Sequence, residues 1–124
     1  MMEVIKIDLN LFKSDKSSVF TGRPQGKAVR EKLNLDKYDN DVSIQVVFTI
    51  PENTSSFNPS FYLGLLFPSY QNLGIEQFDR KYSFQIISNN TEIVKVINAD
   101  LLDGKRSALN SLKKTSNIFG TFFK

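Results

Sequence analysis

Histidine, cysteine and tryptophan are all missing from this 124-residue chain. Without histidine the commonest general base is gone, together with the usual metal ligand and every Ser-His or Cys-His nucleophile pair. Without cysteine neither a disulfide framework nor a thiolate metal site can form, and an intracellular setting is the natural expectation. No apolar run approaches the roughly 20 residues needed to span a bilayer. Residues 1–6 alternate and carry Glu3, which fits a strand and not a secretory signal. The carboxylates are scattered, mostly in turn segments (Asp36, Asp39, Asp41, Asp100, Asp103), and form no spaced acidic cluster. These absences lead to the expectation of a cytoplasmic, non-enzymatic protein with no cofactor, no metal and no membrane partner.

The residues that are present suit one globular domain. Hydrophobic residues make up 40% and charged residues 23%, and 124 residues can bury a core without covalent staples. Eleven phenylalanines supply most of the aromatic bulk. Charge is uneven: residues 1–103 hold 11 basic and 13 acidic side chains, whereas residues 104–124 hold five basic and no acidic ones. The expected division is a domain over residues 1–112 and a basic, Phe-rich tail over 113–124.

Hydrophobic periodicity predicts the elements. Residues 4–9 alternate as a half-buried strand, and a polar, Lys-rich turn leads to a short second strand near Val19-Phe20. Pro24 suits the first turn of a helix whose apolar stripe is Ala28, Val29 and Leu33, with Lys27, Arg30, Glu31 and Lys32 in water. Residues 44–50 give the strongest strand signal, a near-continuous apolar run expected at the sheet centre, covered on both sides or flanked by helices. Asn58-Pro59 then offers an N-cap and first helical residue. Pro68 predicts a kink or break near Leu66-Phe67, with Gly74 as the C-terminal cap. Residues 82–87 form another strand. Asn89 with Glu92 resembles a capping box for a helix that Gly104 stops, and Ala108, Leu109 and Leu112 would make one more short helix. The expected fold is α/β: a mixed sheet with helices, its first strands forming an antiparallel edge.

Two motifs invite a chemical reading. Gly22 and Gly26-Lys27 suggest a phosphate loop, but three residues instead of four separate the glycines and Ala28 follows the lysine, so the motif fails. Arg23, Lys27 and Arg30 stand at i, i+4 and i+7, hence on one helix face. That face is either simply solvated or a docking patch for an acidic partner.

Gly22-Arg23 before a helix holding Ala28-Val29-Arg30, the strand 44–50, and Pro59-Ser60-Phe61 with Leu65 and Gly74 downstream resemble a STAS-like family of bacterial and archaeal domains of unknown function. The resemblance covers roughly residues 3–102 and rests on the order and spacing of elements. That family is similar to anti-sigma factor antagonists, in which a serine at the start of the helix after the central strand is phosphorylated by a histidine-kinase-like ATPase. The resemblance implies that Ser60 holds the equivalent position, with Ser55, Ser56, Phe57 and Asn58 as the neighbouring partner-binding residues. The function it implies is a regulatory protein-binding module. A second reading gives the chain a nucleic-acid partner through its tail, where Phe119, Phe122 and Phe123 interleave with lysines and can stack on bases. The same rings can instead pack on the domain or join two copies as a homodimer.

Overall fold

The computed structural model describes residues 2–12 and 19–123, with side chains as far as Lys114. Strand β1 (Glu3–Asp8) runs into a 3₁₀ turn at Leu9–Phe12, and the two-residue β2 (Val19–Phe20) precedes helices α1 (Arg23–Leu33) and α2 (Leu35–Asp39). Then follow β3 (Ile44–Ile50), the two-residue β4 (Ser56–Phe57), α3 (Pro59–Lys81), β5 (Tyr82–Ile86) and α4 (Thr91–Phe123). The architecture is α/β. The expected turn residues 13–18 lie outside the described residues.

The antiparallel edge is corrected. β1, β3 and β5 form one sheet in that order, and every pairing is parallel. β2 does not return beside β1; it pairs, also in parallel, with β4 through Val19↔Ser56 and Phe20↔Phe57. Two residues are too few to compete for the long β1 edge, whereas Phe20 gains the Phe57 and Phe61 rings at 5.4 and 5.3 Å.

Of the two settings expected for β3, the helices flank it on one face and do not cover both. Right-handed crossovers that advance in one direction put α1, α2 and α3 on the same face, and α4, after the last strand, packs on α3. The burial agrees: Ile44, Val46, Phe48 and Ile50 are buried, while Gln45, Val47 and Thr49 on the other face are half-buried. Val4, Lys6 and Asp8 of β1, and Ser83 and Gln85 of β5, are exposed beside them. That mostly polar lettering lets a parallel sheet keep one wet face, against the usual habit of such sheets.

Helices α1 and α3 touch backbone to backbone. A Cβ on Gly26 would stand 2.3 Å from the Phe61 carbonyl oxygen, and one on Gly64 would stand 2.1 Å from that of Arg23. Neither glycine has room for a methyl group. Val29 and Arg30 therefore turn into the interior, and Ala28, expected in the stripe, is exposed.

Pro68 does not break α3. The bend comes at Gly74, whose φ of 77° and ψ of 170° are accessible to glycine and strained for other residues. Pro68 lacks the N–H that would bond the Gly64 carbonyl, and the helix passes through with no Cβ at Gly64 to add crowding. The cap of α4 is Asn90 and not Asn89, its Oδ1 accepting from the amides of Glu92 and Ile93 at 3.0 and 3.2 Å. Gly104 does not stop α4. It lies buried against Tyr62, where a Cβ would meet the ring root at 2.6 Å, and the helix continues through Ala108 and Leu112 across the expected tail boundary at 113. Glycine here serves close approach, which outweighs its cost in helix propensity.

Candidate functional site

The segment from the end of β3 to the first turn of α3 is fixed from beneath. Phe57 is fully buried, edge-on to Phe61 at 5.2 Å, and its amide donates to Asp100 Oδ2 of α4 at 2.9 Å. The Asn58 amide donates to the Phe20 carbonyl at 2.8 Å, completing the β2–β4 pair. Asn58 then caps α3 as the sequence predicts: its Oδ1 accepts from the Ser60 amide at 2.7 Å, with Pro59 next in the chain. This order of residues works because an extended Asn places its oxygen over the free amides, while Pro59 has none to satisfy.

The five residues expected to meet a partner here are held differently. Ser60 and Ser55 are exposed. Ser56 is half-buried, with its hydroxyl donating to Asp100 Oδ2 at 3.4 Å. Asn58 is half-buried and committed to the cap, and Phe57 has no exposed surface to offer. A phosphate on Ser56 would face the Asp100 carboxylate, whereas one on Ser60 would sit at the positive end of α3. Thr54, in the loop before β4, is buried, and its hydroxyl has no hydrogen-bond partner among the described residues.

Over the carboxyl ends of the three parallel strands lies a shallow crevice of about 540 Å³, lined by Asp8, Asn10, Thr49, Glu52 and Asn53 among others. Open α/β sheets commonly bind ligands at strand ends where the strand order reverses, and the order β1-β3-β5 has no such reversal. Glu52 and Asn53 join the crevice to the loop that leads to Ser60. Among the described residues no group of three His, Cys, Asp or Glu side chains is placed to hold a metal ion.

The basic face on α1 is corrected at one position. Arg23 and Lys27 are exposed, and the Arg23 guanidinium lies 5.9 Å from the centre of the Phe67 ring. Arg30 is buried at 7% exposure, between α1, α2 and α3. Its Nη1 donates to the Leu65 carbonyl at 2.9 Å and to Ser69 Oγ at 2.7 Å, and its Nη2 to Asp36 and Asp39 at 2.6 and 2.9 Å. Asp39 also accepts from Ser69 and Asn72, each at 2.9 Å, and from the Tyr82 hydroxyl. Burial pushes the Tyr82 phenol well above its ordinary range, and the bond to Asp39 pushes it the same way. Close by, the buried Lys81 donates to the carbonyls of Asp41 and Ile44. A planar guanidinium can fill this many acceptors at once, which makes Arg30 a structural clasp between α1, α2 and α3.

Sequence reasoning missed Asp39, Asp100 and the Tyr62–Tyr70 pair. Only the tyrosines carried a local signal, standing at i and i+8 on one face of a helix. The tail residues Phe119, Phe122, Phe123 and Lys124 have side chains outside the described residues, and with them the expected stacking and homodimer contacts. No helix among the described residues is long and apolar enough to cross a membrane. No family model matches the chain, and no curated protein or solved structure is detectably similar to it.

Proposed function

We propose that this chain is a non-enzymatic, STAS-like regulatory module that binds a protein partner through the crevice over its strand ends, the loop 52–55 and the first turn of α3. The observation that carries this reading is the rigid presentation of Ser60: an exposed serine in a capped helical turn, on a loop pinned by Phe57, the β2–β4 pair and Asp100. A surface ordered before binding loses little entropy on docking. Phosphorylation of Ser60 would add about two negative charges at the centre of that surface while the helix dipole stabilises the phosphate. Ser56 is a poor phosphate acceptor because it is half-buried and faces the Asp100 carboxylate. The resemblance to anti-sigma factor antagonists makes a histidine-kinase-like ATPase in the cytoplasm the partner class to look for.

The test is affinity capture from the source cell with the native chain, Ser60→Ala and Ser60→Asp, followed by mass spectrometry. The expected outcome is one partner held by the native and Ala forms and lost at least tenfold with Asp, with phosphate found on Ser60. An unchanged capture profile for Ser60→Asp, in a variant that melts like the native protein, would overturn the reading.

A further inference from the structure

β5 is the last strand of its sheet; it pairs with β3 and, among the described residues, with no strand beyond. The Ile87 amide donates to the Ile50 carbonyl at 3.0 Å, so the odd-numbered residues of this stretch aim their backbone groups at β3. The amides and carbonyls of Phe84 and Ile86 therefore point outward, where no partner meets them among the described residues. Such a row of unpaired groups is a template for another strand. Edges that stay unpaired are commonly guarded by charge, and β1 follows that habit with Glu3, Lys6 and Asp8 in its six residues. β5, Tyr82-Ser83-Phe84-Gln85-Ile86, carries no charge at all.

Beside this edge the helix layer is incompletely covered. An open groove with about 270 Å³ of space separates Tyr82 and Phe84 of β5 from Asn98, Leu101, Leu102 and Lys105 of α4. Aromatic side chains of α3 also line it, among them Tyr62 and Tyr70, whose hydroxyls bond each other at 2.7 Å. Leu102 is 48% exposed and Leu101 half-buried, so the apolar face of α4 is wider than α3 covers. The charges at the groove, Lys105 and Asp79, are paired with each other at 2.7 Å. An uncharged occupant is thus the complementary one. On a strand laid along β5, every second side chain would fall on the helix side, over this groove, and the others would stand beside Ser83 and Gln85. An apolar space of about 150 Å³ holds benzene, so one Leu or Phe side chain fits.

We propose that the outer edge of β5 and the groove beside α4 bind an extended segment of a partner protein by strand addition, with an uncharged Leu- or Phe-sized side chain seated in the groove. The backbone of Phe84 and Ile86 supplies the hydrogen bonds, and the wall of α4 supplies the selectivity. This surface is separate from that of Ser60, and its use does not depend on the function proposed there.

A display library of random octapeptides, panned against the full chain, supplies the probe. The best peptide should carry an uncharged Leu or Phe and, in an amide-resolved NMR titration, shift Phe84 and Ile86 saturably. N-methylation of one alternate set of its amides, those facing β5, should weaken binding at least about tenfold, and methylation of the other set far less. Leu102→Glu, a change at a half-exposed helix position, should melt like the native chain and bind the peptide at least about tenfold more weakly. The proposal is overturned if no peptide is enriched, if the shifts spare Phe84 and Ile86 as with a peptide docked as a helix, or if the two methylated sets weaken binding equally. Unchanged affinity in a folded Leu102→Glu variant would overturn it too. So would shifts of Phe84 and Ile86 on diluting the chain alone, which would give the edge to a second copy. If Leu102→Glu does not fold, the pair of methylated peptides decides the matter.

Discussion

Against α1, helix α3 meets backbone with backbone; against α4 it meets a glycine with the root of an aromatic ring and leaves a gap beside it. The α1 flank is set by Gly26 and Gly64 and closed by Arg30, whose donors are shared among Leu65, Ser69, Asp36 and Asp39. The α4 flank has Gly104 on Tyr62, an open groove of about 270 Å³ and the partly exposed Lys105–Asp79 pair. The difference is one of slack. Interiors tolerate no misfit where rigid groups touch, and tolerate more where a side chain has space to move. One helix thus combines an anchored flank with a more loosely filled one.

Breaking the clasp gives the largest expected effect. Arg30→Leu leaves the buried Asp39 carboxylate without its cation and should cost about 3–5 kcal/mol, read from the midpoint of urea unfolding. A loss below about 1 kcal/mol would mean that Ser69, Asn72 and Tyr82 satisfy Asp39 unaided.

Two alanine substitutions then sharpen the contrast. Both gain the same helix propensity over glycine, about 1 kcal/mol, so their difference reports the contact. Gly64→Ala drives a methyl onto the Arg23 carbonyl and should lose about 3 kcal/mol net, because two backbones must part. Gly104→Ala meets the Cγ and Cβ of Tyr62 at 2.6 and 2.8 Å, which move only with the α3 backbone, and should lose about 2 kcal/mol, less than Gly64→Ala because no backbone polar atom is struck. Equal losses in paired denaturation curves would remove the distinction between the flanks.

What was legible in the sequence was local. The apolar run of 44–50, the strand expected over 82–87 and the Asn58-Pro59 cap are complete within a few residues, and the structure has strands at 44–50 and 82–86 and the cap at Asn58. What was hidden depends on distant partners. Arg30 reads as one more wet cation until Asp39, Leu65 and Ser69 surround it. Gly104 reads as a stop until Tyr62 is packed against it, and Gly26 as part of a failed phosphate loop until Phe61 covers it. The placement of β2 turned on the same kind of choice: Phe20 found better company in Phe57 and Phe61 than at the edge of β1. At the candidate site the cap and Ser60 were visible, but the role of Asp100, 40 residues beyond Ser60, was not.

Native-state hydrogen exchange tests the central contrast most directly, because each helix reports its own opening without any substitution. The amides of residues 29–33 in α1 should exchange only with global unfolding. Those of residues 102–108 in α4, beside the groove, should exchange at least about tenfold faster, through an opening about 1.4 kcal/mol cheaper. Equal protection in the two helices, or greater protection in α4, would contradict the account.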